Sequence, residues 1–236
     1  MPNTFFRFKK FIVHQDRCAM KVGTDSVLLG AWANGGHHIL DVGSGTGVIS
    51  LMMAQRFPQA TVEAVDIDEE ACRQAVENVE ASPFVHQVSI ACCSIQELAR
   101  TPHLRGSFDA VVSNPPFFDN ALKTPDASRN MARHTDSLPF DQLFQSVRYL
   151  MAPTGEFSAI IPFDYKAKFL SEAALNGFVV SREYAVKTTP KKRAKRYLLA
   201  FRMPPAEEFD QQEVVLETMP GIRSEWYEMI TRDFYL

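Results

Sequence analysis

The sequence predicts an α/β fold, one mostly parallel sheet with helices on both faces, and three observations carry that reading. Short apolar runs alternate with helical stretches from His38 to Arg202. A glycine-rich turn joins the first of these runs to its helix, and an aspartate closes the second. At 236 residues the chain is long enough for one large core and short for two. The expectation is a single domain over residues 36–236, preceded by an extension, residues 1–35, that packs on it.

The elements follow in order. Phe5 to His14 reads as two short β segments, and Thr24 to Ala33 as a helix capped by Thr24 or Asp25. His38 to Val42 has a buried-strand pattern and runs into Gly43-Ser44-Gly45-Thr46-Gly47, after which Val48 to Phe57 is helical. Pro58 ends that helix because proline has no N–H to continue it. Thr61 to Ile67 is the second strand, followed by a helix from Glu69 to Ala81. Val88 to Cys93 is the third strand, Ile95 to Arg100 a short helix, and Phe108 to Ser113 the fourth strand. That strand meets Asn114-Pro115-Pro116-Phe117, where two prolines force the chain out of the sheet. Phe118 to Pro139 is polar, irregular and longer than most connections. A helix over Phe140 to Leu150, a strand over Glu156 to Pro162 and a helix over Tyr165 to Asn176 come next. Strands over Phe178 to Val186 and Tyr197 to Arg202 precede a C-terminal tail.

Composition narrows the function classes. Hydrophobic residues at 46% and charged residues at 22% fit an ordinary globular protein. The first ten residues lack the apolar core of a signal peptide, and no run of about 18 apolar residues occurs, so a cytoplasmic protein is expected. Cys18, Cys72, Cys92 and Cys93 lack the paired spacing of a zinc or redox site, which points to reduced thiols and no metal. A net charge of −3 gives no general pull toward nucleic acid, so such binding must come from patches. Two stand out: Arg7, Lys9, Lys10, Arg17 and Lys21, and a second cluster running from Lys187 to Arg196.

The motifs carry the chemistry. Glycines at 43, 45 and 47 suit a sharp strand-to-helix turn against a ligand, and Asp66, about 20 residues on, suits the hydroxyls of a ribose. Asp41, just before the glycines, favours an ammonium-bearing ligand over a pyrophosphate, and the G-S-G-T-G spacing departs from the dinucleotide pattern. S-adenosylmethionine has such an ammonium. Asn114-Pro115-Pro116-Phe117 is the most specific feature. The adenine amine is a poor nucleophile; the Asn114 side-chain carbonyl and the next backbone carbonyl can each accept one of its hydrogens, while Phe117 stacks on the base. In isolation, Asn-Pro-Pro is also a rigid strand exit.

DVGSGTG, AVDID and NPPF, in that order, resemble class I S-adenosylmethionine-dependent amino-methyltransferases. The block Lys21 to Trp32, the run Arg129 to His134 and the Pro190-Lys191-Lys192-Arg193 turn are similar to the bacterial tRNA(Val) adenine-N6 methyltransferase family. That resemblance spans nearly the whole chain and implies a Rossmann-like sheet of seven strands. It also implies tRNA as substrate, the adenine 3′ of the anticodon as target, and no membrane or obligate protein partner. The implied cofactor set adds Thr24, Ile67, Ser94 and Asn114 to Asp41, Gly43, Gly45, Gly47 and Asp66. The implied catalytic set is Asn114, Pro115, Pro116 and Phe117. Candidate RNA contacts are Arg129, Arg133 and His134 in the long loop and Lys191, Lys192, Arg193 and Lys195 in the basic turn. Two departures matter: many members have tyrosine where this chain has Phe117, and often an acid where it has Ser94. Ribosomal RNA guanine-N2 methylation, protein glutamine methylation and a silent RNA-binding module stay open as alternatives.

Overall fold

The computed structural model describes residues 3–18, 20–117, 138–205 and 209–236. A hairpin of β1 (Phe5–Arg7) and β2 (Ile12–His14) leads to α1 (Thr24–Trp32). The alternating unit is β3 (His38–Val42), α2 (Val48–Arg56), β4 (Thr61–Asp66), α3 (Glu69–Glu80), β5 (Val88–Cys92), α4 (Ile95–Leu98) and β6 (Phe108–Ser113). It continues through α5 (Phe140–Leu150), β7 (Met151–Pro162), α6 (Phe163–Leu175), β8 (Val179–Lys187) and β9 (Arg196–Arg202). The tail folds as β10 (Asp210–Val215), a hairpin of β11 (Glu217–Met219) and β12 (Ile222–Arg223), and α7 (Glu225–Thr231).

The expected sheet is present, with eight strands in the order β10-β8-β9-β7-β6-β3-β4-β5. The resemblance implied seven. The additional strand is the polar β10, which pairs parallel with β8 and buries Val214, a signal too thin to read from Asp-Gln-Gln-Glu. Among the described strands of this sheet, β9 alone runs antiparallel to its neighbours, β7 and β8. β7 starts earlier than expected, at Met151, and its register against β6 shifts between Phe108 and Ala110 before regular pairing resumes at Glu156.

The chain moves outward from β3 through β4 to β5, then returns to place β6 on the other side of β3. In an open α/β sheet this reversal leaves a crevice at the carboxyl ends of the two central strands. One core, with Leu28, Leu29, Ile39, Met52 and Val62, also takes Phe8, Phe11 and Val13 from residues 1–35 and Phe234 from the tail. The other face is filled by aromatic side chains: Phe108, Phe144, Phe157, Phe169 and Phe201 are each fully buried. Among the described residues no helix is long and apolar enough to cross a membrane.

Phe144 packs against Phe157, Phe169, Phe178 and Phe201, with ring centroids 4.8–5.4 Å away. Phe144→Ala should therefore lower unfolding free energy by about 3–5 kcal/mol in urea titration, and a loss below 1 kcal/mol would show that this aromatic face repacks freely.

Candidate active site

Three motifs meet because three strands finish level. Val42 pairs with Ser113 on β6 and with Val65 on β4. The Ser113 hydroxyl, wholly buried, donates to the Val42 carbonyl at 2.9 Å and closes the β3–β6 pair. Gly43 and Asn114 therefore leave neighbouring strands side by side. The Gly43 and Ser44 amides donate to the Val65 carbonyl at 2.8 and 3.1 Å, which brings the glycine loop over the end of β4. Asp66 fastens it there: Oδ2 accepts from the Gly45 amide at 2.8 Å and Oδ1 from the Asp68 amide at 3.0 Å. Each oxygen keeps a further lone pair for a ligand. Asp68 in turn caps α3 by accepting from the Glu70 and Ala71 amides.

The three glycines divide the work. Gly43, Gly45 and Gly47 all have positive φ, which disfavours any side chain. A Cβ on Gly43 or Gly45 would meet nothing within 4 Å, so bare backbone faces open space. A Cβ on Gly47 would come within 3.3 Å of Ala75 on α3, so Gly47 serves helix packing. The wholly buried Asn78 completes the support: its amide donates to the Thr46 and His14 carbonyls at 2.9 Å each and its oxygen accepts from the His14 amide at 2.8 Å. Nothing in the sequence marked Asn78, because an asparagine inside a helix has no signature until its partners are known.

These elements enclose a cleft of about 860 Å³. Of the expected cofactor residues, Thr24, Gly43, Gly45, Asp66, Ile67, Ser94 and Asn114 line it, as do Pro116 and Phe117. Ile67, expected to end a strand, lies just past β4 and holds its side chain out into the cleft at 47% exposure. Ser94 caps α4: its hydroxyl donates to Glu97 at 2.8 Å and accepts from the Glu97 amide at 3.2 Å, which leaves it acceptor capacity only. The Phe117 ring lies 5.5 Å from Tyr165, tilted by 36°.

Asp41 is placed differently from what its sequence position suggested. It lies fully buried under the glycine loop and does not line the cleft. Oδ2 accepts from the Ser50 hydroxyl at 2.5 Å, and Oδ1 has no partner among the described residues. Burial pushes its carboxyl up to about 7, against the Ser50 hydrogen bond and with help from the Asp66 charge. The fit to S-adenosylmethionine rests on these features: an open backbone cradle, the Asp66 carboxylate with lone pairs to spare on the cleft wall, and a buried Asp41 oxygen beneath with no partner among the described residues.

The sequence profile of the methyltransferase small domain matches residues 20–138. A protein of Phocaeicola vulgatus named tRNA1(Val) (adenine(37)-N6)-methyltransferase is 46% identical over all of this chain and 99% of its own length. Proteins of the same name from Flavobacterium johnsoniae and Serratia proteamaculans are 42% and 38% identical over 98% of this chain, covering 99% and 89% of their own lengths. The chain belongs to the tRNA1(Val) (adenine(37)-N6)-methyltransferase family. The fold is shared more widely: a predicted O-methyltransferase from Agrobacterium tumefaciens superposes with a TM-score of 0.70 at 16% identity, over 89% of this chain and 96% of that one.

In this member of the methyltransferase family the two basic clusters fare differently. The N-terminal one is split: Lys21 lines the cleft, whereas Lys9 and Lys10 line a separate cavity of about 440 Å³ with Arg56 and Asp233. The second cluster sits at the carboxyl edge of the sheet, since Arg196 pairs with Pro162 at the end of β7. Lys187 bonds Glu213, and Arg196 Nε lies 2.6 Å from Asp25 Oδ1. Lys191, Lys192, Arg193 and Lys195 are exposed and have no ion-pair partner among the described residues. Arg129, Arg133 and His134 lie outside the described residues.

Thr24 or Asp25 was expected as the cap of α1. The cap is Gly23, whose amide donates to Ser26 Oγ at 3.3 Å while that hydroxyl donates back to the Gly23 carbonyl at 2.9 Å. Asp25 is thereby released to join α1 to β9 through Arg196, both residues on the cleft wall. The cleft thiols stay protonated: burial and nearby carboxylates push Cys18 up to about 12, and burial raises Cys93 too.

Asp41 gives the site a pH signature. Its folded-state carboxyl binds a proton at higher pH than the unfolded one, so stability falls as pH rises from about 4 to about 7 and levels off above. The fall is at most about 4 kcal/mol. Asp41→Asn should remove this component from urea-unfolding curves recorded across that range; wild-type and variant curves that run parallel would contradict the assignment.

Proposed function

We propose that the chain is an S-adenosylmethionine-dependent enzyme that methylates the exocyclic N6 of adenine in tRNA, with the adenine 3′ of the anticodon of valine tRNA as target. The observation that carries this reading is Asn114 emerging beside the glycine loop, locked there by the Ser113–Val42 hydrogen bond. The full-length relatives named for that reaction support it. Such an enzyme works where tRNA is, in the cytoplasm.

When bound, S-adenosylmethionine supplies an electrophilic methyl group. The bare backbone at Gly43 and Gly45 lets a nucleoside approach, and Asp66 accepts from its ribose hydroxyls through the lone pairs left by Gly45 and Asp68. Ile67 would cover the adenine of the cofactor and Ser94 would accept from its amine. Asp41 would balance the ammonium from below, and Thr24, which belongs to the extension of residues 1–35, would close one side of the cleft.

The Asn114 side-chain carbonyl and the Pro115 backbone carbonyl each accept one hydrogen of the target amine and withdraw its lone pair from the ring. Pro115 and Pro116 hold those carbonyls in one direction. Phe117, braced by Tyr165, stacks on the base, so the missing tyrosine hydroxyl costs no packing. No thiolate takes part, because Cys18 and Cys93 keep their protons. The amine releases its own proton to solvent after transfer. Lys191, Lys192, Arg193 and Lys195 neutralise tRNA phosphates; Arg129, Arg133 and His134 are assigned to the path of the flipped adenine.

Asn114→Ala should lower the single-turnover methylation rate on tRNA about 10²- to 10³-fold, as the loss of one preorganised electrostatic contact does, with cofactor affinity little changed. Asn114→Asp should retain part of the rate. A near-normal rate for the Ala variant, with fold and affinities intact, would make the Asn-Pro-Pro segment a strand exit and nothing more.

A further inference from the structure

Phe163 is the first residue of α6 and exposes 57% of its surface. Isolated exposed apolar residues are ordinary, but this one differs in where it is and how it is held. β7 continues from Ala159, the partner of Ser113, to Pro162, so Phe163, which directly follows this neighbouring strand, lies toward the same edge of the sheet as Asn114. Its amide donates to the Lys195 carbonyl at 2.9 Å, which ties it to the basic turn. Behind it stands Tyr197, with ring centroids 6.4 Å apart and a 34° tilt. Tyr197 is braced in turn: the Lys166 ammonium lies 4.0 Å from its ring centroid and is held by Glu183 at 2.6 Å. The interior does not need the Phe163 ring, because the fully buried Phe169 of the same helix fills the core beneath.

A rigidly backed aromatic face beside unpaired cations is what binds single-stranded nucleic acid: the cations follow the phosphates, and a base stacks on the ring whatever its identity. Resting on the reading that the substrate is RNA, we propose that Phe163, supported by Tyr197, is a stacking platform for an unpaired nucleotide next to the target adenine. Extruding a base from a loop leaves a neighbour unstacked, and Phe163 offers that neighbour a replacement partner.

The test uses the full-length protein, a labelled RNA hairpin carrying the anticodon loop, and the same stem as an uninterrupted duplex. Phe163→Ala should weaken hairpin binding about 5- to 150-fold, the range of base–aromatic stacking. Phe163→Trp should hold or tighten it, and Phe163→Leu, which keeps apolar area without a π face, should behave like Ala. Duplex binding, its salt dependence and S-adenosylmethionine affinity should stay at wild-type values in all three. Unchanged hairpin affinity in the Ala variant would overturn the platform, as would an equal loss on duplex or full rescue by Leu. A wild-type protein that binds neither RNA would overturn the tRNA reading itself, a result visible before any variant is made.

Discussion

The buried hydrogen bond from Ser113 to the Val42 carbonyl holds the carboxyl ends of β3 and β6 level, and the site depends on that alignment. With those ends level, the glycine loop and Asn114 start from adjacent points. The loop is then drawn across β4 by the Gly43 and Ser44 amides and fixed by Asp66. Side chains pointing to opposite faces of a strand alternate with a period of two, so a slip of one residue would turn Asn114 away from the cleft. The parallel register is protected by burial on both faces, with aliphatic packing on one and interlocked phenylalanines on the other.

Electrostatics are graded across the same few ångströms. Asp41 lies in the dry interior and takes a proton easily, while Asp66, one strand over, is held by two backbone amides and faces the cleft. Two acidic side chains therefore sit at two depths, one beneath the glycine loop and one on the cleft wall. At the rim, Asp25 and Arg196 join the N-terminal helix to the strand that follows the basic turn. This links the wall of the cleft to the basic turn proposed to meet RNA.

Much of this was legible in the sequence because it is local. Glycines with positive φ, an aspartate ending a strand and prolines leaving one are each set by backbone chemistry within a few residues, and the structure puts them where their spacing implied. What was not legible depends on partners distant in sequence. Asn78 joins the glycine loop to the N-terminal hairpin across 32 and 64 residues, and Asp25 caps nothing because its partner lies on β9. The N-terminal cations looked like one patch but fold to separate places. Strand β10 escaped notice because only one of its six residues is buried. Phe163 fell between the expected strand and the expected helix; it is the first residue of α6 and an exposed aromatic beside the basic turn.

The central claim is that this aligned set of strand ends delivers a methyl group to one adenine amine of tRNA. The most direct measurement is nucleoside mass spectrometry of unmodified valine tRNA incubated with the purified protein and isotope-labelled S-adenosylmethionine. The account predicts labelled N6-methyladenosine at the adenine 3′ of the anticodon, and no label when that adenine is replaced by guanine. Label in guanine, in another adenine or in the protein itself would contradict it, and so would a complete absence of label with cofactor and tRNA both bound.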